Sequence, residues 1–373
     1  MGAPAPAGRG ARAGESVRAG CDRRGSGQRP SPATPRWREE AAALASSHND
    51  PANLSGPDPL LSPELLQWVA DRYGLRAREP QPLGGSFNLN VRLDDHVLRV
   101  YGPWVSPARL RTLQEIRRTL RARGVPIPAL RPTRDGALSC AFGGCVLEVE
   151  RHVAGAPMDD EGRLRAGMRA LGRLHAHMAD LPPGEPPPFA NHLPQQAALQ
   201  ATLEAAAIVR AWGPTPAEEQ LARRAESLAR HLSPHRLPCQ WVHGDFWNNN
   251  VRFRDLDVVA VLDFDFAGLR PRVDDLALPL AYAFQNGADI AEVRALVEAY
   301  DAGCAVPLSR PERRALPFAM ARMALSFLRY LSIPGDPAEK ARQRREFLER
   351  RGPACAWWLR RLEEGTLEET TFA

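Results

Sequence analysis

The chain has 373 residues, which at roughly 100–200 residues per domain implies two domains or three. Hydrophobic residues make up 44% and charged residues 25%, ordinary globular values that exclude a fibrous, collagen-like or wholly disordered chain. The formal charge of +5 rests on 48 Arg and a single Lys, Lys340, and beyond the N-terminal segment no basic cluster interleaved with aromatics marks a nucleic-acid surface.

Residues 1–57 read as a disordered tail. Eight Arg lie between positions 9 and 38 among Gly, Pro, Ser and Ala, and such a segment buries too little apolar surface to offset its ordering entropy. An Arg-rich, acid-poor segment also admits an organellar transit peptide, the less favoured reading. From Ser62 the pattern changes. Ser62-Pro63-Glu64 followed by Leu65, Leu66, Val69 and Tyr73 predicts a capped amphipathic helix. Pro82–Leu93, with a Gly84-Gly85-Ser86 turn, and the alternating His96–Tyr101 predict strand, turn and strand. Ser106-Pro107 opens a helix that runs to Arg123 and stops at Gly124 and Pro126. Short strands follow near Ala137–Ala141 and Cys145–Val149.

Beyond Gly155 the pattern is mainly helical. Leu164, Met168, Leu171, Leu174, Met178 and Leu181 recur at helical spacing up to Pro182-Pro183. A capping box at Thr215–Glu218 opens a further helix. Three short strands then interrupt, Gln240–Val242, Val251–Phe253 and Val258–Leu262, before helices capped at Ser309 (with Glu312) and Asp336-Pro337. The apolar stretches near Val258–Leu262 and Leu276–Phe284 are far shorter than the ~18–20 residues of a membrane span. No membrane partner is expected. Six scattered Cys, without paired zinc-type spacing, and the lack of a secretory apolar core point to reduced thiols in the cytoplasm. The expected fold class is α+β: a tail over 1–57, a small β-rich lobe over 58–152, and a larger helical lobe over 153–373.

The strand island concentrates the polar chemistry. It reads His243-Gly244-Asp245-Phe246-Trp247-Asn248-Asn249-Asn250, then Val261-Leu262-Asp263-Phe264-Asp265-Phe266. Carboxylates flanked by apolar strand residues are costly to bury without a charged partner. Asn250 and Asp263, hard oxygen ligands at adjacent strand ends, suit Mg²⁺. Asp245 can accept a proton from a substrate hydroxyl. Taken singly, Asp and Asn in loops usually do no more than stabilise turns; two apolar-strand-plus-Asp blocks in succession weaken that reading.

HGDFWNNN followed by VLDFD resembles the catalytic loop and metal-binding segment of the aminoglycoside phosphotransferase family, whose fold is similar to choline kinases and protein kinases. The resemblance covers about residues 80–300 and implies a bilobal, kinase-like fold. It implies Asp245 as catalytic base, Asn250 and Asp263 as Mg²⁺ ligands, and His243 as a residue that holds the loop by hydrogen bonds. Asp265 is implied either near the metal or at a second one, and Asp274-Asp275-Leu276 as the brace of the catalytic loop. In the small lobe Gly84, Gly85 and Ser86 would cover the nucleotide, and Glu148 to His152, Glu150 among them, would form the hinge whose backbone faces adenine. Where the family has Lys on the next strand this chain has Arg99, which can still grip phosphate oxygens, with altered geometry. Glu115 is its expected helix partner.

The resemblance therefore implies an ATP- and Mg²⁺-dependent phosphotransferase acting on a small-molecule hydroxyl of an aminoglycoside, amino alcohol, sugar or similar metabolite. The alternative is a nucleotide-binding pseudokinase without turnover, prompted by Arg99. A metallohydrolase built on His243, Asp245 and Asp263 lacks the further His ligands such a site needs.

Overall fold

Local chemistry sets the first helices as the sequence indicates. Ser62 caps α1 (Pro63–Tyr73), its Oγ accepting the Leu65 amide at 3.2 Å, and Gly74 ends it in the left-handed region. Ser106 caps α2 (Pro107–Ala122) in the same way, through the Arg109 amide. The computed structural model describes residues 61–76, 78–84, 88–102, 105–187, 237–331 and 352–364, with scattered positions between 203 and 226 and between 338 and 349. The expected 1–57 tail and the Asp336-Pro337 cap lie outside the described residues.

A six-stranded sheet dominates the first part. Its strands are β1 (Gln81–Pro82), β2 (Leu89–Leu93), β3 (His96–Tyr101), β4 (Leu130–Arg131), β5 (Ser139–Phe142) and β6 (Cys145–Arg151). The order is β1-β2-β3-β6-β4, with β5 also on β6, and every pairing is antiparallel. Leu65, Val69 and Tyr73 of α1 close one apolar face of the sheet with Val91, Leu98, Leu147 and Val149. Leu110 of α2 packs on the sheet with Tyr101 and Val146, while Leu113, Ile116 and Leu120 join the large core formed with the helices that come later.

α3 (Glu161–Met178) carries the predicted stripe, with Leu164, Met168, Leu171, Leu174 and Met178 all buried. The island resolves into β7 (Cys239–Val242), β8 (Val251–Arg254), β9 (Asp257–Val261) and an unanticipated β10 (Gly268–Pro271) that pairs with β7. Then come α4 (Arg272–Gln285), α5 (Ile290–Asp301), α6 (Arg310–Leu331) and α7 (Gly352–Glu363). The predicted boxes form: Thr215 N–H donates to Glu218 at 2.7 Å, and Ser309 N–H to Glu312 at 2.9 Å. Among the described residues no helix is long and apolar enough to cross a membrane.

Candidate active site

The hairpin register brings the two central blocks together. Val251 pairs with Val261, and the Leu262 amide donates to the Asn250 carbonyl at 2.8 Å, so Asn250 and Asp263 stand at adjacent strand ends. Asn250 turns its Nδ2 back onto the loop, donating to the Asp245 carbonyl at 2.9 Å and to Asp245 Oδ2 at 3.0 Å. Asp263 adopts φ +60°, a left-handed conformation uncommon outside Gly, which fixes where its carboxylate points. Two hard oxygen donors side by side fit a divalent cation that takes its remaining ligands from phosphate and water. Among the described residues no cluster of three His, Cys, Asp or Glu offers an all-protein metal cage.

His243 is committed on both ring nitrogens. Nδ1 accepts the Asp245 amide at 3.2 Å, and Nε2 donates to the Leu262 carbonyl at 2.8 Å. A main-chain donor on one side and a main-chain acceptor on the other define the neutral Nε2–H tautomer, so the ring locks the two loops together. Only Gly fits at 244. Its φ is +83°, and a Cβ there would meet the Arg270 guanidinium and the Phe266 carbonyl at 2.1 Å.

Asp275, at the start of α4, holds this loop from below. Its carboxylate accepts the His243 and Gly244 amides, each at 2.6 Å, and His175 Nε2 at 3.0 Å. His175 Nδ1 meets the Tyr300 hydroxyl at 2.7 Å. Burial alone raises Asp275, but the hydrogen bond and charge of His175 outweigh it and bring the group down to about 2.

Arg99 lies between the two carboxylates of the second block. It is 4% exposed, and its Nη2 donates to Asp263 Oδ1 at 3.2 Å and to Asp265 Oδ2 at 2.8 Å. Asp263 is raised by burial and lowered by Arg99, with a net fall below the usual carboxylate range. Asp265, buried and also gripped by Asn88 Nδ2, is pushed up to about 7, chiefly by burial. Asn88 Oδ1 accepts the Gly102 amide at 3.2 Å, so this one side chain links the sheet to the Asp265 carboxylate.

One expected contact does not form. Glu115 points outward and pairs with Arg118 at 2.8 Å, so it is not the partner of Arg99. The spacing places it on the solvent side of α2, where the buried positions are 109, 110, 113, 114, 116, 117 and 120. The charge that α2 turns inward is instead Arg117, which pairs with Glu148 at 2.5 Å and with Glu150 at 3.3 Å. Glu150 lies inside the sheet, opposite Val97 and Leu130. The Arg151 and His152 amides are taken by the Ala129 and Asp95 carbonyls, so the chain leaves the sheet later than the Glu148–His152 hinge supposed. Gly84 has φ +74°, as a turn needs; Gly85 and Ser86 lie outside the described residues.

Sequence reading missed Arg109, Arg117, His175 and Tyr300. The first three sit at helical spacing within apolar stripes, which is the signal that betrays a buried polar group. A cavity of about 380 Å³ adjoins the loop, between Met158–Arg165 and the end of α4. Asp159, Asp160, Glu161 and Glu292 line it beside Leu164 and Tyr282. The Met158 amide donates to the Asn248 carbonyl at 3.0 Å, and Tyr282 stacks edge-on against Trp247 at 4.9 Å.

Comparison with known proteins follows the same lines. The sequence model of the phosphotransferase enzyme family matches residues 80–318. A homoserine kinase of Methylobacterium nodulans is 28% identical over 260 residues, 65% of this chain and 75% of that protein. Among solved structures, an amicoumacin kinase in complex with AMP-PNP and Ca²⁺ superposes with a TM-score of 0.59 at 16% identity, covering 76% of this chain and 92% of its own. A microcompartment-associated aminopropanol kinase gives 0.58 at 18% identity, covering 83% and 100%. At such identities the structural likeness speaks to the fold: mixed α and β with an antiparallel sheet.

Proposed function

The chain belongs to the phosphotransferase enzyme family, and from that premise we propose that it moves the γ-phosphoryl group of ATP, with Mg²⁺, to a hydroxyl of a small amine-bearing alcohol. We read the sheet with α1 and α2 (residues 58–152) as the nucleotide lobe and residues 153–373 as the acceptor lobe, with the site in the cleft between them. The adenine-facing backbone then begins at Val153, just past β6.

The observation that carries the reading is the convergence of Asp245, Asn250 and Asp263 through the Asn250–Asp245 and Leu262–Asn250 hydrogen bonds. Asp245 accepts the hydroxyl proton as the acceptor oxygen bonds to the γ-phosphorus. The bond from that phosphorus to the bridging oxygen breaks, and its electron pair leaves with ADP. When bound at Asn250 and Asp263, Mg²⁺ would neutralise charge on the β- and γ-phosphates. His243 and Asp275 keep the Asp245 loop in place, and Arg99 sets a fixed positive charge beside the phosphates. The cavity next to Trp247 is lined by Arg165 as well as by Asp159, Asp160, Glu161 and Glu292, with Arg163 and Arg165 pairing the first three, so the support for an amine on the acceptor comes from the relatives. Homoserine and aminopropanol, named for two relatives, are amino alcohols.

An ADP-release screen of amino alcohols, aminoglycosides and sugars, with and without Mg²⁺, tests this. ADP production with none of them, together with tight nucleotide binding, would leave a passive binding module. Arg99 gives a sharper check. Arg99→Ala removes the counter-charge of buried Asp265 and the charge facing phosphate, so nucleotide affinity should fall at least tenfold and the melting temperature should drop, since breaking a buried pair costs about 3–5 kcal/mol. Arg99→Lys should recover much of both. Parent-like nucleotide affinity in Arg99→Ala would remove the phosphate role.

A further inference from the structure

With Glu115 facing solvent, α2 must reach the Asp263 segment by another route, and the geometry points to Arg109. It stands in the first turn of α2 and is 1% exposed. Among the described residues no carboxylate forms an ion pair with it. Its Nη2 donates to the carbonyls of Asp265 at 2.9 Å and Ala267 at 2.6 Å, and its Nη1 to the carbonyl of Glu185 at 2.7 Å. A buried guanidinium whose hydrogen bonds all go to main-chain oxygens is a costly way to fill a core position. What it achieves is geometric, because one nitrogen, Nη2, bridges two alternate carbonyls of the turn that follows Asp263 while Nη1 ties the same planar group to Glu185.

Asp265 is consequently held from three directions: its carbonyl by Arg109, and its carboxylate by Arg99 and Asn88. The other end of α2 is anchored by Arg117 on Glu148 and Glu150 of β6. We propose that Arg109 is a positioning residue that makes α2 a strut between the sheet and residues 263–267 and so aims Asp263 at its divalent cation. This rests on the reading of Asp263 as a metal ligand. It takes the place of the strand–helix ion pair expected from Arg99 and Glu115.

The test is titration calorimetry of ADP and ATP with and without Mg²⁺, which reads the divalent-dependent gain in nucleotide affinity without requiring turnover. The guanidinium serves the three carbonyls from two nitrogens held in one plane and an ammonium has only one, so Arg109→Lys should cut that gain by about tenfold while metal-free affinity stays near the parent's. Arg109→Gln, able to reach at most one or two carbonyls, provides the second variant should the lysine destabilise the fold. Ser62→Ala is the control: loss of the α1 cap, whose Oγ takes the Leu65 amide, lowers the melting temperature without touching Arg109 or α2, and its divalent gain should match the parent's. A parent-like gain in Arg109→Lys or Arg109→Gln, whatever the melting temperature, overturns the proposal. So does an equal loss in Ser62→Ala, which would make the effect one of general stability. A parent that itself shows no divalent gain overturns the metal reading of Asp263 and this proposal with it, an outcome distinguishable from the first because the parent then fails too.

Discussion

An Asp245→Asn variant is expected to keep near-normal affinity for Mg²⁺·ATP and to lose turnover by about 10²–10⁴-fold, the usual worth of a positioned general base. The loop should survive the change. An amide oxygen at 245 still accepts the hydrogen bond from Asn250 Nδ2 at 3.0 Å, and the backbone links to His243 and Asn250 are untouched. What disappears is the proton acceptor. Asp263→Asn should look equally dead in a turnover assay and different in a nucleotide titration. Asp263 sits below the usual carboxylate range because Arg99 outweighs its burial, so it presents a full negative charge at neutral pH. A neutral amide there should abolish the Mg²⁺-dependent part of nucleotide binding. Equal loss of nucleotide affinity in both variants would show that Asp245 also holds metal and would end its assignment as base.

The two motifs behind that expectation are legible in the sequence, because their residues are contiguous and their order and spacing carry the information. The same holds for the caps at Ser62, Ser106, Thr215 and Ser309, each a local device with a local signal. The partner of Arg99 was not legible. Whether Glu115 or Arg117 of α2 turns inward depends on about 200° of helix rotation, which motif matching ignores and which the apolar stripe Leu113–Ile116–Leu120 decides. Arg109 and Arg117 lie on that stripe, four residues to either side of Leu113. His175 likewise shares its face with Leu171, Leu174 and Met178. A charged or polar residue in register with buried leucines must find a partner; the sequence announces the need, and only the fold supplies Glu148, the carbonyls of 265 and 267, or Asp275. β10 stayed hidden for a related reason. Its four residues carry no alternation of their own and become a strand only by pairing with β7.

These buried polar groups divide the work in a way the stability of the chain should reveal. Arg99, Arg109 and Arg117 bind the sheet and α2 to the Asp263 segment, whereas Asp275, His175 and Tyr300 bind three helices to the Asp245 loop. Disturbing the first set should be read mainly in nucleotide and metal affinity. Disturbing the second should be read in turnover and global stability, since it holds the Asp245 loop and lies within the largest core.

Asp275 is the sharpest case of the second kind. Asp275→Ala strands the His243 and Gly244 amides and the His175 ring without an acceptor in a site that water does not reach, so unfolding free energy should fall by about 3–5 kcal/mol. Turnover should fall by about 10² or more even in the folded fraction, the cost of displacing a catalytic group by about 1 Å. Asp275→Asn is not a rescue: the two loop amides are taken by different oxygens, so the NH₂ that replaces one of them would face a donor. The pH dependence carries a separate signature. The carboxyl sits at about 2 in the folded chain against an ordinary 3.8. A depressed folded value means that the contribution is fully present above the unfolded pKa and drains away as pH falls toward 2. Chemical denaturation of the parent should therefore show about 2 kcal/mol of stability lost between pH 4 and pH 2 that Asp275→Asn does not lose. Parallel acid limbs in parent and variant would mean that the loop does not depend on this carboxylate, and the brace would have to be sought elsewhere.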